Sequence, residues 1–522
     1  MTRSLLLLLA AVALLFDADL SRANVITANS GSYADVSVAV ASASPGDTVL
    51  IPAGTNTWAQ TLGLYGITLQ GAGTNNTVII DETPIVGSGL PIINLTTAPT
   101  LSRISQLTIV GGMTNCYKAV SVQAGNSAAG VRGNINVYGT NAFRIDHCVF
   151  HYLTGKPIHI TSMNFGLVDH CSFQMYGGAN AIEVNGGVGA DGGLGDLSWA
   201  TPYSYGSSNA LFIEDNYISS AFNFTAIDIF EGGRAVIRNN FFAGSFVYTH
   251  GSESGQRYRS ARVVEVYSNI FSYSPTIFNN GSSAITIRGG TALIFNNSVT
   301  NFYNVTSLQD YRTTDNSPYF TPWYGATGLS GYDSNSATLW SGVAASTTNC
   351  LVAANPGWIP NQFYGCTVYN PRNNLCGIVN TNNANTMWFL SSASPQYQIT
   401  FNAGDPVVVH MVYPQFDQPG RGYGDLLSGD TPAANWPHQV SEPMYFWNNT
   451  LNYNYLPTAA GGLGYSPYPD IAPGRDFFNS PKPGYIPFTY PHPLTQLTNL
   501  VVALPPPVTV PPPTGLNVQG GR

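Results

Sequence analysis

Charged side chains are scarce in this chain. Only 9% of its 522 residues are Asp, Glu, Lys or Arg, and Lys and Arg together number 19. A net charge of −8 with so few basic residues excludes the electrostatic footprint that nucleic-acid binding requires. Because aromatic residues still make up 12% of the chain, the composition is not that of a disordered protein.

Long apolar runs are missing beyond the N-terminus. The run at 5–16 follows Arg3, and the small residues Ser21 and Ala23 suit a cleavage site, so residues 1–23 are predicted to be a signal peptide. The alternative, a retained membrane anchor, is disfavoured because the run is short for a bilayer. No later stretch approaches ~18 consecutive apolar residues. We therefore expect a secreted protein, extracellular or on the cell surface, without a membrane span.

Cysteine is also rare. The chain has six cysteines, an even count that permits disulfides in an exported protein. Their spacing matches no zinc-binding pattern. A chain of this length does not need disulfides to fold.

A repeat of six short segments indicates the fold. Each segment reads apolar, two variable residues, Cys or Asn, one variable residue, apolar. The fourth position is Cys148, Cys171, Asn216, Asn240, Asn269 and Asn297. The intervals of 23, 45, 24, 29 and 28 residues fit a coil of about 23 residues with loops inserted in some turns.

Such a short coil can form three strands but not two packed helices. A second series of alternating strands, starting at Ile182, Ile227, Val247 and Ile285, supports this interpretation. The sequence therefore predicts an all-β fold, a right-handed parallel β-helix in which the asparagines form an inward ladder. Cys148 and Cys171 share that column, as buried packing residues or alternatively as a disulfide between coils.

Two N-terminal stretches carry a family resemblance. The segment at 44–54 (Ser-Pro-Gly-Asp-Thr-Val-Leu-Ile-Pro-Ala-Gly) and the following Gly-Ile-Thr-Leu-Gln-Gly-Ala-Gly at 66–73 resemble the first coils of the pectate-lyase-like β-helix superfamily. The resemblance covers about residues 25–300. It implies a fold, whereas that superfamily includes lyases, hydrolases, epimerases and non-catalytic tailspikes and adhesins.

The repeat is interrupted after Asn297 and returns with the Asn449 segment. We predict that 24–302 forms the solenoid and that 303–440 is an inserted excursion containing a small β-module. Residues 441–500 should form the last coil and a cap, because an open solenoid end needs one. The Pro-rich stretch at 501–522 is predicted to be a linker or tail.

A pair of carboxylates is predicted to meet on the outside of the solenoid. Glu183 and Asp228 lie at the same offset from Cys171 and Asn216, which places them in adjacent coils about 4.8 Å apart. Neighbouring carboxylates repel unless a cation bridges them, so Glu183, Asp228 and nearby Glu231 are candidate calcium ligands. A solvated acidic face is the alternative.

Basic and aromatic residues extend the same face. Tyr248, His250, Arg262 and Arg288 are candidate catalytic residues, since β-elimination needs a base, an acid and a donor that stabilises the enolate. Arg257 and Arg259 could bind uronate carboxylates, and Trp199 and Tyr203 could stack on sugars. Ordinary surface aromatics are an equally open interpretation. The full set is Tyr248, His250, Arg262, Arg288, Arg257, Arg259, Trp199 and Tyr203.

Family motifs restrict the functional hypothesis. The Ile-Asp-His at 145–147 and Val-Asp-His at 168–170 resemble a stretch of pectate lyases, but the Arg-x-Pro-x-x-Arg segment with their catalytic base is absent. The polygalacturonase motifs are absent too, while Ile-Thr-Ile-Arg-Gly-Gly at 285–290 faintly resembles a strand of alginate lyases and chondroitinase B. We hypothesise a monomeric polysaccharide lyase acting on an acidic glycan. The alternatives are a glycoside hydrolase and a non-catalytic carbohydrate-binding protein or adhesin.

Overall fold

A computed structural model describes most of the chain. The described residues are 23–84, 90–111, 133–138, 142–153, 156–161, 163, 165–175, 180–187, 195–251, 259–273, 283–309, 338–364, 366–373, 375–389, 399–410, 417–422, 441–452, 463–465, 471 and 473–496. The signal peptide predicted at 1–23 (except Ala23), Arg257 and the tail at 501–522 lie outside them. Within the described residues, no helix is long and apolar enough to cross a membrane.

The chain forms a parallel β-helix with three faces, which confirms the predicted fold. Face 1 is a ladder of twelve parallel strands. Its strands are Val25–Thr27, Thr48–Ile51, Thr68–Gly71, Ser102–Ser105, Phe143–Asp146, Gly166–Asp169, Leu211–Glu214, Arg234–Arg238, Val263–Tyr267, Thr291–Phe295, Met444–Trp447 and Phe477–Phe478.

Faces 2 and 3 belong to one continuous sheet, because the strands Tyr217–Phe230 and Phe241–Thr249 run through both. Face 2 also contains Gly54–Trp58, Thr77–Asp81, Thr108–Gly111, Val149–Leu153, Ser172–Met175, Ile270–Ser272, Ser298–Thr300 and Thr450–Asn452. Face 3 also contains Leu62–Tyr65, Ile93–Thr96, Gly133–Tyr138, Lys156–Thr161, Ile182–Asn185, Ser283–Ile287, Asn304–Leu308 and Leu463–Tyr465.

Three short helices accompany the sheets in the described residues. Helix α1 (Tyr33–Ser42) packs beside the first coils, and its N-terminus is capped by the Ser32 hydroxyl, which accepts from the Asp35 N–H at 3.2 Å. Helix α2 (Asp196–Ala200) lies in the loop between the face 3 strand Ile182–Asn185 and the next face 1 strand. A 3₁₀ helix spans Pro493–Gln496.

The predicted small β-module is present between two coils. Six antiparallel strands form it: Thr338–Val343, Leu351–Val352, Thr367–Asn370, Leu375–Asn382, Thr386–Phe389 and Pro406–His410. It has its own apolar core, separate from that of the solenoid. The excursion starts later than predicted, because Asn304–Leu308 still pairs with Ser283–Ile287 in face 3.

The inward asparagine ladder is present at the bend between faces 1 and 2. Each Nδ2 donates to the next Oδ1 at 2.9–3.0 Å from Asn216 to Asn449, so Asn449 rejoins the column as predicted. The residue before each ladder position has a positive φ of 51° to 58°, which turns the backbone sharply. Cys148 and Cys171 continue the column as buried free thiols. Of the two predicted alternatives, they are therefore packing residues and not a disulfide.

We expect Asn240→Ala to lower the free energy of unfolding by about 4 kcal/mol, because buried hydrogen-bond partners are left unpaired. Asn240 accepts from the Asn216 amide and donates to the carbonyls of Ile213 and Arg238. Urea unfolding measures the change. Asn402→Ala, at an exposed position in the β-module, is the control, and equal stability of the two variants would contradict the role of the ladder.

The C-terminal segment runs back along the outside of face 1. The guanidinium of Arg238 donates to the carbonyls of Phe488 and Thr489 at 2.7 and 2.8 Å, and Arg144 donates to that of Leu494 at 3.2 Å. Leu494 and its neighbours cover an outward apolar cluster on face 1. The predicted C-terminal cap therefore covers a side of the solenoid as well as continuing its end.

We expect the free energy of unfolding to fall at acidic pH because of His492 in this C-terminal segment. Burial, with Arg238 and Arg144 nearby, lowers the pKa of His492 to about 3. The unfolded chain then binds more protons between pH 6.5 and 3, so stability falls as the pH drops through this window. From pH 6.5 to 4 the loss is about 3 kcal/mol. His492→Gln should flatten the dependence of the unfolding free energy on pH in this range, and an unchanged slope would contradict this assignment.

Candidate functional site

One outward column of face 3 collects polar side chains from successive coils. The strand register aligns His159, Glu183, Asp228, Tyr248 and Thr286. Glu183 and Asp228 are directly paired across neighbouring strands, as the shared offset predicted. Their residues are only 4% and 7% exposed, so this column is a mostly covered polar surface rather than a solvated acidic face.

A lysine and an amide stabilise the two neighbouring carboxylates. The Lys156 ammonium forms an ion pair with Glu183. The Asn180 Nδ2 lies 3.3 Å from Glu183 Oε2 and 2.9 Å from Asp228 Oδ2, so it bridges the two carboxylates. The His159 Nε2 lies 3.3 Å from Glu183 Oε1. The repulsion expected between adjacent carboxylates is therefore offset by positive charge and N–H donors.

Burial shifts the titration of the two basic residues at this end of the column. It lowers the pKa of Lys156 to about 8, although the carboxylates of Asp228 and Glu231 oppose the shift. Burial and the Lys156 charge lower the pKa of His159 to about 4. At neutral pH His159 is therefore uncharged, and Lys156 provides the positive charge beside the carboxylates.

The next coils bring a histidine, a tyrosine and an arginine together. The His250 Nε2 lies 3.2 Å from Asp228 Oδ2, and the rings of His250 and Tyr248 are 5.9 Å apart. The Arg288 guanidinium lies 4.1 Å from the centre of the Tyr248 ring, and its Nε donates to Gln309 Oε1 at 3.1 Å. This contact places a fixed cation on an aromatic face beside a histidine.

Asp228 has one oxygen committed to this network and one that is not. Its Oδ2 contacts Asn180 and His250, whereas its buried Oδ1 accepts no hydrogen bond from any residue in the described part of the chain. A buried carboxylate oxygen without a donor is costly.

Trp199, which was predicted to stack on sugars, is not exposed to a ligand. Trp199, in helix α2, is fully buried, and its Nε1 donates to the Ser260 carbonyl at 3.0 Å. The guanidinium groups of Arg259 and Arg262 lie 4.7 and 5.3 Å from its ring centre. The expected sugar-stacking role of Trp199 is therefore wrong, because its faces are already covered.

The predicted roles of Arg259 and Arg262 are corrected because both are buried, and that of Tyr203 because it packs against face 1 instead of face 3. Arg259 binds Asp417 at 2.8 Å through two nitrogens and Asp196 at 3.1 Å. Arg262 pairs with Glu442 at 2.7 Å, and Tyr203 donates to Glu265 at 2.8 Å. The two arginines fasten the segments that return from the excursion. The remaining expected substrate ligand, Arg257, lies outside the described residues.

The three predicted calcium ligands lie where they can bind a cation, but the Lys156 ammonium already provides a positive charge beside them. Glu183, Asp228 and Glu231 all act on the Lys156 ammonium, through an ion pair or through space. No cluster of three or more His, Cys, Asp or Glu suited to a metal ion is found in the described part of the chain. Calcium at these carboxylates stays a prediction.

Three residues of this site were not identified from the sequence: Lys156, His159 and Asn180. The strand Lys156–Thr161 alternates like the later strands of face 3, but Ile158 follows Cys148 by 10 residues instead of 11. Allowing the offset to vary by one residue would have placed His159 beside Glu183. Asn180 precedes its strand in a loop, and no pattern in the sequence marks it.

Known structures resemble this chain at low identity. An alginate lyase from Paenibacillus sp. str. FPU-7 has 16% identity and a TM-score of 0.36, over 54% of this chain and 90% of that one. A mannuronic acid specific polysaccharide family 6 lyase from human gut microbiota has 16% identity and a TM-score of 0.35, over 56% and 70%. A pectin methylesterase mutant in complex with a hexasaccharide has 13% identity and a TM-score of 0.30, over 48% and 89%.

No protein-family model and no curated protein matches the sequence. At these identities and TM-scores, what the chain does chemically has to be inferred from its own residues. Its fold, established by its strand pairing, is the parallel β-helix that the sequence resemblance implied.

Proposed function

We propose that the protein is a secreted polysaccharide lyase that cleaves an acidic glycan on face 3 by β-elimination. The observation that carries the proposal is the contact of Arg288 with Tyr248 beside the His250–Asp228 pair. These four side chains provide a cation for a uronate carboxylate, a hydroxyl group and an imidazole held by a carboxylate. β-Elimination from a uronate requires these three kinds of group.

Each residue has a defined part in the proposed reaction. Arg288 binds the C6 carboxylate and stabilises the enolate that forms when C5 loses its proton. His250 accepts that proton, because an Nε2–H directed at Asp228 leaves the basic lone pair on Nδ1. The electrons of the C5–H bond form the C4–C5 double bond, and the C4–O bond breaks. Tyr248 then protonates the leaving oxygen.

The glycan is proposed to lie along the solenoid axis. Successive coils are about 4.8 Å apart, so a chain of sugars can meet the residues of face 3 one after another. Lys156, in the strand before that of Glu183, forms its ion pair with this carboxylate and adds a second positive charge near the proposed path of the glycan. An acidic chain is favoured over a neutral one because cations stand on both sides of the carboxylate pair.

The proposal is tested by incubating the purified protein with polygalacturonate, alginate and other uronic-acid glycans. Elimination leaves an unsaturated uronate end, which absorbs in the ultraviolet. The expected result is rising absorbance on at least one glycan, weakened by salt because the binding is ionic. Binding to an acidic glycan without any such absorbance would instead favour the non-catalytic alternative.

We propose that Glu183, Asp228 and Glu231 can also bind a calcium ion. A thermal melting experiment tests this proposal. If the ion binds the folded protein, added calcium raises the melting temperature by mass action. Glu183→Gln should remove that rise, because one carboxylate ligand is lost. A wild-type melt that is indifferent to calcium would leave Lys156 as the cation of this cluster.

A further inference from the structure

The inserted β-module is nearly free of charge. Between residues 338 and 410 the only Asp, Glu, Lys or Arg side chains are Asp405 and Arg372, and these pair with each other at 2.7 Å. The same stretch contains eleven asparagines. Its surface can therefore form many hydrogen bonds but exerts little electrostatic attraction on a charged ligand.

Large apolar side chains are exposed on the hairpin 375–389 of this module and on the loop that it contacts. Trp388 is 41% exposed and Ile359 is 69% exposed, and Tyr364 is exposed as well. Trp388 lies opposite Thr381 in the hairpin, and the Thr381 hydroxyl donates to Asn361 Oδ1 at 2.7 Å. We refer to Ile359, Asn361, Tyr364, Thr381 and Trp388 as the Trp388 surface. It combines aromatic area with amide and hydroxyl groups.

The loop that carries three of these five residues is held in place by a buried amide. Asn382 is 2% exposed, and its Nδ2 donates to the carbonyls of Ile359 and Asn383, each at 2.9 Å. Its Oδ1 accepts from the Phe363 N–H at 3.0 Å. Because the loop is fixed in advance, a ligand would not have to meet the entropic cost of ordering it.

We propose that the Trp388 surface binds a neutral, hydroxyl-rich glycan. An exposed indole offers a flat apolar face for the C–H side of a sugar ring, at little cost in conformational entropy. The surrounding amides and hydroxyls can both donate to and accept from sugar hydroxyls. The shortage of charge fits a neutral chain better than a uronate or a charged protein partner. This binding site is separate from face 3 and does not depend on catalysis there.

The test is affinity electrophoresis of the full chain in native gels containing a soluble neutral polysaccharide. Dextran, β-glucan and galactomannan serve as probes, with polygalacturonate in parallel. We expect at least one neutral polysaccharide to retard the wild type, and the retardation should persist in high salt because no charges are involved. Arg288→Ala should be retarded equally, which separates this site from the proposed active site.

The deciding variant is Trp388→Ala, expected to bind at least tenfold more weakly while its melting curve stays close to that of the wild type. Val343→Ala is the matched control, because Val343 is also exposed on the module, at 59%, and should bind as the wild type does. Equal binding by Trp388→Ala and the wild type would overturn the proposal. So would retardation by no neutral polysaccharide, or retardation that salt abolishes.

Discussion

Replacing Arg288 by Ala is expected to lower kcat/KM on the responsive acidic glycan by about 10³-fold, because one preorganised donor to the developing charge is lost. The melting temperature should hardly change, since Arg288 is partly exposed and lies on the outside of the solenoid. Steady-state kinetics and a thermal melt of the same preparation measure the two effects. The loss is expected in kcat as well as in KM, because the enolate forms only during the reaction.

Two further variants sharpen this test. Arg288→Lys keeps the charge but not the planar fork that a carboxylate binds through two hydrogen bonds, so it should recover only part of the activity. Arg372→Ala removes an exposed arginine of the inserted module and should leave activity unchanged. Full activity in Arg288→Ala would exclude the proposed centre, even if the protein proves to be a lyase.

Replacing Lys156 by Met is expected to destabilise the fold by about 3–5 kcal/mol, because it leaves a buried carboxylate without its cation. This carboxylate is that of Glu183. In the described part of the chain, Asn180 and His159 would remain as its side-chain neighbours within 3.3 Å. Denaturant unfolding at neutral pH measures the loss. Activity should fall as well, because the second cation along the glycan path is gone.

The double variant Lys156→Met, Glu183→Gln distinguishes a lost ion pair from lost packing. It should recover most of the stability, since no unpaired charge is then buried. If the single variant were as stable as the wild type, the ion pair would contribute nothing, and Glu183 would have to be neutralised in another way. If the double variant stayed as unstable as the single one, the loss would come from packing of the lysine stem.

The fold could be predicted from the sequence because each coil repeats one inward residue type. A buried amide that bonds the next amide has few substitutes, so Asn216, Asn240, Asn269 and Asn297 mark the same bend in successive coils. The same periodicity placed Glu183 opposite Asp228. A one-residue difference in a single coil was enough to hide Lys156 and His159.

The partners of the basic cluster could not be predicted from the repeat. Arg259 binds Asp417, 158 residues away, and Arg262 binds Glu442, 180 residues away. Both acidic residues lie in or just after the excursion, where no periodicity fixes their place. The sequence does not distinguish an exposed arginine from one that forms an ion pair with a distant segment. Only the folded structure shows which of the two an arginine is.

Digestion in ¹⁸O-labelled water tests most directly whether face 3 cleaves an acidic glycan by elimination. Mass spectrometry of the fragments distinguishes the chemistries, since elimination adds no water whereas hydrolysis does. We expect fragments with one unsaturated end and no ¹⁸O incorporated at the cleaved bond. Saturated fragments carrying ¹⁸O would contradict it and indicate a glycoside hydrolase, and intact glycan after prolonged incubation would contradict catalysis altogether.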